Sequence, residues 1–280
     1  MKTVMIIPAK GYSSRLPGKN LRDFCGHPLV AWSITQGVNA KHVDEVWVST
    51  DSEEVKTVAE YYGAKVMMRH YKDELNTPGS IPIFEFIERQ KESGDLDDED
   101  WLITRLCTTP TLLPHDTDVC WERLQIMNEL YGIESIGVGA ELRTFHAHRK
   151  LAEGLSRNLP QDCLCENIGD IVQTGAWFGV NKVRNIKEVP PPALGVQAIR
   201  GGEYPLCPYY NVQPWQIQVV DTQAEFDFAE VVAEHYILKG RDMLDVYQAP
   251  RMEEETYGRY RNGRIGQKHK TKGIIQQTDS

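Results

Sequence analysis

The chain of 280 residues carries 31 Lys and Arg against 40 Asp and Glu, a formal charge of -9, with 41% hydrophobic and 25% charged residues. That length admits one large α/β domain or two small ones with a sizeable core, and the acidic balance excludes a general nucleic-acid binder. The apolar run before Pro8 is too short for a membrane span or a signal-peptide core, so the expectation is a cytoplasmic protein without membrane insertion.

The first element, Val4 to Ile7, is a short apolar run of the kind that forms a buried strand. After Pro8 comes a loop in which Gly11, Ser13, Ser14 and Gly18 alternate with Lys10, Arg15 and Lys19, and no acid occurs until Asp23. Glycine lets a backbone turn and approach a ligand closely, and backbone N–H groups in such a loop can face an anion. The loop reads as a phosphate cradle, with a solvated basic turn as the alternative. Pro28 to Ala40 has helical spacing, with Leu29, Val30, Ile34 and Val38 on one face. Glu45 to Thr50 is a second strand, Asp51 and Ser52 offer the cap for a helix from Glu53 to Tyr62, and Gly63 ends it before a third strand, Lys65 to Met68.

Ser80 to Glu92 reads as a further helix with Ile81, Phe84 and Ile87 inward, and the acidic run Gly94 to Asp100 as a solvated turn. Trp101 to Leu106 is the next strand, Asp116 opens a long helix to Tyr131, and Ser135 to Ala140 is another strand. Alternation of this kind predicts a doubly wound, mostly parallel sheet, whose ligands sit outside the carboxyl ends of the strands.

From Leu142 to Pro214 the rhythm breaks: prolines cluster at Pro190 to Pro192, and a strand-like run, Ile171 to Val180, contains Gly175. An inserted β-rich arm or lid is expected there. The rhythm resumes with Gln216 to Asp221 as a strand and Thr222 to Lys239 as a helix capped by Thr222, with Phe226, Ala229, Val232 and Ala233 as its buried stripe. From Arg259 to Lys272 there are six Lys and Arg and no acid, a mobile solvated terminus in preference to an arm for an anionic partner. The expected organisation is one domain over 1–240, with 142–214 inserted, and a C-terminal extension over 241–280.

Two constellations beyond the loop carry chemistry. Asp221, at the end of a late strand, would project toward the same rim as the loop and can hold Mg2+ between phosphate oxygens and substrate; capping the following helix is the alternative. Arg143, His146, His148, Arg149 and Lys150 form a basic cluster after a strand, suited to a substrate carboxylate or phosphonate, or else a solvated turn.

The stretches IIPAKGYSSRLPGKN, VSTDSEEV, TGAWF and VVDTQAEFDFAE resemble the cytidylyltransferases that activate acidic sugars, the acylneuraminate and 3-deoxy-manno-octulosonate enzymes, in the same order. The resemblance implies a Rossmann-like α/β nucleotidyltransferase domain, CTP as donor, a small acidic acceptor, Mg2+ as cofactor, release of pyrophosphate, a place in cell-surface polysaccharide biosynthesis and a homodimer. It directs Ala9, Lys10, Gly11, Ser13, Arg15, Lys19, Asn20, Arg69 and Ser80 to the nucleotide and Asp221 to the metal, with Lys10, Arg15, Lys19 and Asp221 as the catalytic group. Arg143, His146 and Arg149 are left for the acceptor.

Departures bear on the acceptor. Lys10 stands where the family usually has arginine, and Tyr12 where it has glycine; Leu106 to Pro110 replace a QPTSP element, and VVDT replaces DIDT, leaving one metal carboxylate. Sialic acid is therefore disfavoured, and a nonulosonic or octulosonic acid is the leading acceptor. The alternatives are the same chemistry on a phosphonate, or a catalytically idle nucleotide-binding protein.

Overall fold

The computed structural model describes residues 1–69, 81–141, 172–186 and 209–238. In chain order the strands are β1 (Thr3–Pro8), β2 (Asp23–Phe24), β3 (His27–Pro28), β4 (Glu45–Thr50), β5 (Lys65–Met68), β6 (Trp101–Arg105), β7 (Ser135–Glu141), β8 (Val172–Lys182) and β9 (Tyr209–Asn211). The α-helices are α1 (Leu29–Val38), α2 (Glu53–Tyr61), α3 (Ile81–Glu92), α4 (Pro114–Tyr131) and α5 (Gln223–Ala233).

Among the described residues the main sheet has seven strands in the order β5-β4-β1-β6-β8-β7-β9. β1 lies inside it, parallel to β4 and to β6, and β5 extends the parallel part beyond β4. Val4 to Ile7 are all buried, as a strand covered on both faces requires. Alternation along β1 sorts the core into two layers. Met5 and Ile7 pack with Ile34 of α1, Val55 and Val58 of α2 and Leu124 of α4, whereas Val4 and Ile6 pack with Phe86 and Ile87 of α3. Helices on both faces of a mostly parallel sheet make the expected Rossmann-like α/β fold.

A third cluster ties the two ends of the described chain together. Leu16, Phe24, Leu29, Trp32 and Leu113 close on Val220, Phe226, Ala229 and Ala233. Phe24 makes edge contacts with Trp32 and Phe226 at ring separations of 5.1 and 5.4 Å, the geometry aromatic quadrupoles favour. This packing brings α5 beneath the opening loop.

Several sequence expectations are corrected. α1 is buried almost all round, because Val30, Ala31 and Ile34 face the sheet layer while Leu29 and Trp32 face the third cluster; Val38 is 48% exposed. In α3 the inward residues are Pro82, Phe86 and Ile87, with Ile81 exposed and Phe84 only half-buried. The acidic turn is not simply solvated: Asp100 is buried and accepts from the Lys2 and Asp97 backbone N–H groups at 2.6 and 3.0 Å. Within the expected arm, Val172–Lys182 is an integral strand, antiparallel to both β6 and β7, with Phe178 and Val180 filling the core. Residues 216–221 are not a strand. A 3-10 turn, Pro214–Ile217, precedes an irregular segment, because the Val220 N–H goes to Thr108 O at 2.8 Å rather than to a sheet neighbour.

Glu45, at the start of β4, yields a pH-dependent prediction. Burial pushes its carboxyl up, but hydrogen bonds from Lys65, Lys2 and Trp47 outweigh that and hold its pKa at about 2, against 4.5 ordinarily. A lowered folded-state pKa contributes stability above pH 4.5, and that contribution is lost as pH falls toward 2. Glu45→Gln should therefore melt below wild type at neutral pH, and the gap should close as the scan moves from pH 4.5 toward 2. A gap independent of pH would show that the ion pairs are not its cause.

Candidate active site

β1 ends at the rim where the carboxyl ends of β4 and β5 also lie. The Ala9 N–H donates to Ser49 O at 2.9 Å, and Ser49 O also accepts from Arg69 Nη2 at 2.9 Å. Arg69 is 8% exposed, and its Nε donates to Ser49 Oγ at 3.0 Å. The guanidinium and the start of the loop are thus locked to the same residue of β4.

The loop itself is braced at both ends. The Gly11 N–H donates to Asp51 Oδ1 at 2.7 Å, and Asn20 Nδ2 donates to Lys10 O at 2.8 Å. A Cβ on Gly11 would stand 2.6 Å from Ser52 Cβ, so glycine is required there by packing against the start of α2. Gly18 has φ 68° and caps a 3-10 turn, Lys19–Leu21, a left-handed backbone open to glycine at little cost. Asn20 Oδ1 accepts from the buried Cys107 thiol at 3.0 Å, whose pKa burial pushes up to about 11, so it remains a donor.

That turn aims Lys19 inward. Its side chain is 8% exposed, and Nζ donates to Val220 O and Asp221 Oδ1, both at 2.7 Å. Arg15 Nη1 lies 3.0 Å from Asp221 Oδ2, with side chains 68% and 28% exposed respectively. One carboxylate therefore sits between two of the loop's three cations. Lys10 has no ion-pair partner among the described residues, in contrast to Arg15 and Lys19.

The elements that hold Asp221 were only partly visible in the sequence. Thr222, not Asp221, caps α5: its side chain accepts from the Glu225 N–H, and Glu225 Oε2 accepts from the Asp221 and Thr222 N–H groups at 2.9 and 2.8 Å. Burial pushes the Glu225 pKa up, but these bonds together outweigh it and bring it below the usual value. Upstream, Gln216 joins a buried network with Thr111 and Asp116: Thr111 Oγ1 donates to Gln216 O at 2.9 Å, and Gln216 Nε2 to Asp116 Oδ2 at 2.5 Å. Asp116 also accepts from the Leu113 N–H at 2.8 Å, and burial raises its pKa. Asp116 reads from sequence only as a helix opener; no local pattern announces a partner 100 residues away.

Among the expected site residues, the structure assembles Ala9, Lys10, Gly11, Arg15, Lys19, Asn20, Arg69 and Asp221 along one rim. Ser13 belongs to the same loop. Ser80, Arg143, His146 and Arg149 lie outside the described residues, as does the basic C-terminal segment. Among the described residues no group of three or more His, Cys, Asp or Glu could hold a metal ion; the carboxylate they place between Arg15 and Lys19 is Asp221. A single carboxylate reachable from solvent fits Mg2+, which takes one or two carboxylates and fills its shell with phosphate oxygens and water.

Residues 4–122 match the family model described as cytidylyltransferase. The chain is 51% identical over 65 residues to the pseudaminic acid cytidylyltransferase of Campylobacter jejuni, covering 23% of this chain and 28% of that protein. It is 34% identical over 122 residues to the 3-deoxy-manno-octulosonate cytidylyltransferase of Chlorobium limicola, 44% of this chain and 45% of that one. It is 32% identical over 120 residues to N-acylneuraminate cytidylyltransferase B of Danio rerio, 42% of this chain and 27% of that one. The chain thus spans less than half the length of these curated relatives. A solved structure of CMP:2-keto-3-deoxy-manno-octonic acid synthetase complexed with CTP shares the fold, with TM-score 0.59 at 19% identity over 85% of this chain and 100% of that one. Over residues 4–122 the chain carries the cytidylyltransferase sequence pattern, and the relatives it resembles over part of its length are cytidylyltransferases of acidic sugars.

Proposed function

We propose that the protein is a CTP-dependent cytidylyltransferase that joins CMP to an acidic sugar, a nonulosonic or octulosonic acid, and releases pyrophosphate. The observation that carries this reading is the convergence of Lys19 and Arg15 on Asp221 at the mouth of the loop that follows β1. A cationic loop and a facing carboxylate are what a triphosphate and its cation require, and the family resemblance supplies the nucleotide.

In this reading the acceptor hydroxyl attacks the α-phosphorus in line and pyrophosphate leaves, so the protein's work is positioning and charge stabilisation. Lys10, Arg15 and Lys19 neutralise the charge that builds on the leaving oxygens. To do so, Arg15 and Lys19 exchange Asp221 for phosphate, which releases the carboxylate to hold Mg2+. When bound at Asp221, that ion would supply charge stabilisation and a lowered pKa for the attacking hydroxyl. Arg69, fixed on Ser49, faces the nucleotide from the neighbouring strand ends. No general base is assigned.

Arg143, His146 and Arg149, by their charge and place in the sequence, bind the acceptor's carboxylate, and Ser80 contacts the nucleotide. The same reading includes a single catalytic domain over 1–240 with an extension over 241–280, a cytoplasmic homodimer, and a place in cell-surface polysaccharide biosynthesis. No helix among the described residues is long and apolar enough to cross a membrane.

The test is pyrophosphate release from each of the four NTPs with Mg2+ and a panel of keto-acid sugars and phosphonates. CTP with an acidic sugar should be preferred. Preference for another NTP rejects the cytidylyl assignment, and CTP binding without turnover on any acceptor favours a nucleotide-binding protein.

A further inference from the structure

Residues 9–11 are held one after another. The Ala9 N–H donates to Ser49 O, Lys10 O accepts from Asn20 Nδ2, and the Gly11 N–H donates to Asp51 Oδ1, at 2.9, 2.8 and 2.7 Å. The first bond continues the β1–β4 pairing, and the second closes the loop on itself. The third comes from a charged side chain, placed after β4 has ended and before α2 begins.

Asp51 occupies a position that reads in sequence as a helix cap, yet Ser52 takes that role: Ser52 Oγ accepts from the Val55 N–H at 3.3 Å. Asp51 Oδ1 instead accepts from the loop, at the Gly11 N–H. The loop has no room to slide toward α2, given the 2.6 Å that would separate a Gly11 Cβ from Ser52 Cβ. Between these anchors stands Lys10, without an ion-pair partner among the described residues, while Arg15 and Lys19 are occupied by Asp221.

We propose that Asp51 is a positioning residue for nucleotide binding, which fixes the backbone at Lys10 through the Gly11 N–H and so presents that ammonium to the triphosphate. The proposal rests on the cytidylyltransferase reading. An anion is unsuited to touching a phosphate directly, so Asp51 acts through the main chain. What matters is an acceptor oxygen at this place, not the charge of the side chain.

The probe is CTP with Mg2+, titrated calorimetrically into wild type, Asp51→Ala, Asp51→Asn, Lys10→Met and the Asp51→Ala/Lys10→Met double variant, each checked for its melting temperature. Asp51→Ala should weaken binding about tenfold, the scale of a lost bond to a charged group. Asp51→Asn, whose Oδ1 still accepts, should stay within about twofold of wild type. The double variant should bind no more weakly than Lys10→Met, because both changes act through one contact. Wild-type affinity in Asp51→Ala, a tenfold loss in Asp51→Asn, or multiplying effects in the double variant overturns the role. If Asp51→Ala does not fold, Asp51→Leu, which keeps the branching at Cγ but offers no acceptor, takes its place, with the same tenfold loss expected and wild-type affinity overturning the role. A wild type that fails to bind the probe removes the cytidylyltransferase reading itself; one that binds while the variants act independently removes only Asp51.

Discussion

Asp221→Asn should lower Mg2+-dependent pyrophosphate release from CTP by at least about two orders of magnitude, the loss expected when about 3 kcal/mol of transition-state stabilisation is removed. The fold should survive. Asp221 is 28% exposed and its partner Arg15 is 68% exposed, and partly exposed pairs of this kind contribute about 1 kcal/mol or less. The asparagine Oδ1 can still accept from Lys19. One control separates metal loss from damage to the site: with the carboxylate charge gone, Arg15 loses its counterion and Lys19 keeps only neutral acceptors, so pyrophosphate without metal should bind the variant at least as tightly as wild type. Weaker binding would mean that the anion site itself has been disturbed. An active Asp221→Asn enzyme would reject Asp221 as the metal residue.

Lys19→Met should have the second large effect, on two observables together. The Lys19 ammonium is 8% exposed and serves both Val220 O and Asp221 Oδ1. Its removal leaves a buried carbonyl without this donor and takes one of two cations from Asp221. A destabilisation of about 1–3 kcal/mol is expected, chiefly from leaving the buried Val220 carbonyl unsatisfied, with about 1 kcal/mol or less from the partly exposed ion pair because Arg15 remains. Thermal or denaturant unfolding measures it. Turnover should fall by about two orders of magnitude or more, since the lost cation is also phosphate-directed. Wild-type stability with impaired turnover would make Lys19 a ligand-contacting residue only; the reverse would make it a structural tie between the loop and α5.

The legible parts of this fold are those whose signal is local. β4 and β5 run over Glu45–Thr50 and Lys65–Met68 as read from the sequence, because each short apolar run is bounded by its own turn or cap. The α5 stripe of Phe226, Ala229, Val232 and Ala233 is buried as its spacing requires. The misread parts depend on neighbours. Gln216 to Asp221 has the β-branched look of a strand, but Val220 fills a cluster under the loop and its N–H is taken by Thr108. Val172–Lys182 has strand propensity without the rhythm of a βα unit, since it enters the sheet antiparallel.

The sequence by itself determined the βα opening, the positive loop with its two glycines, and the likeness to cytidylyltransferases. Periodicity, backbone permissiveness and charge order are properties of neighbouring residues, so a single chain displays them. Only the tertiary structure decided what the loop faces. Lys19 and Asp221 are 202 residues apart, and no local pattern encodes that meeting; it follows from apolar packing of Leu16, Phe24 and Trp32 against Val220 and Phe226. The same packing made Asp221 the counterion of two loop cations and left Thr222 to cap the helix. It also gave Asp51, a helix cap by sequence, to Gly11, because Ser52 already satisfied the cap and the loop backbone lay within reach.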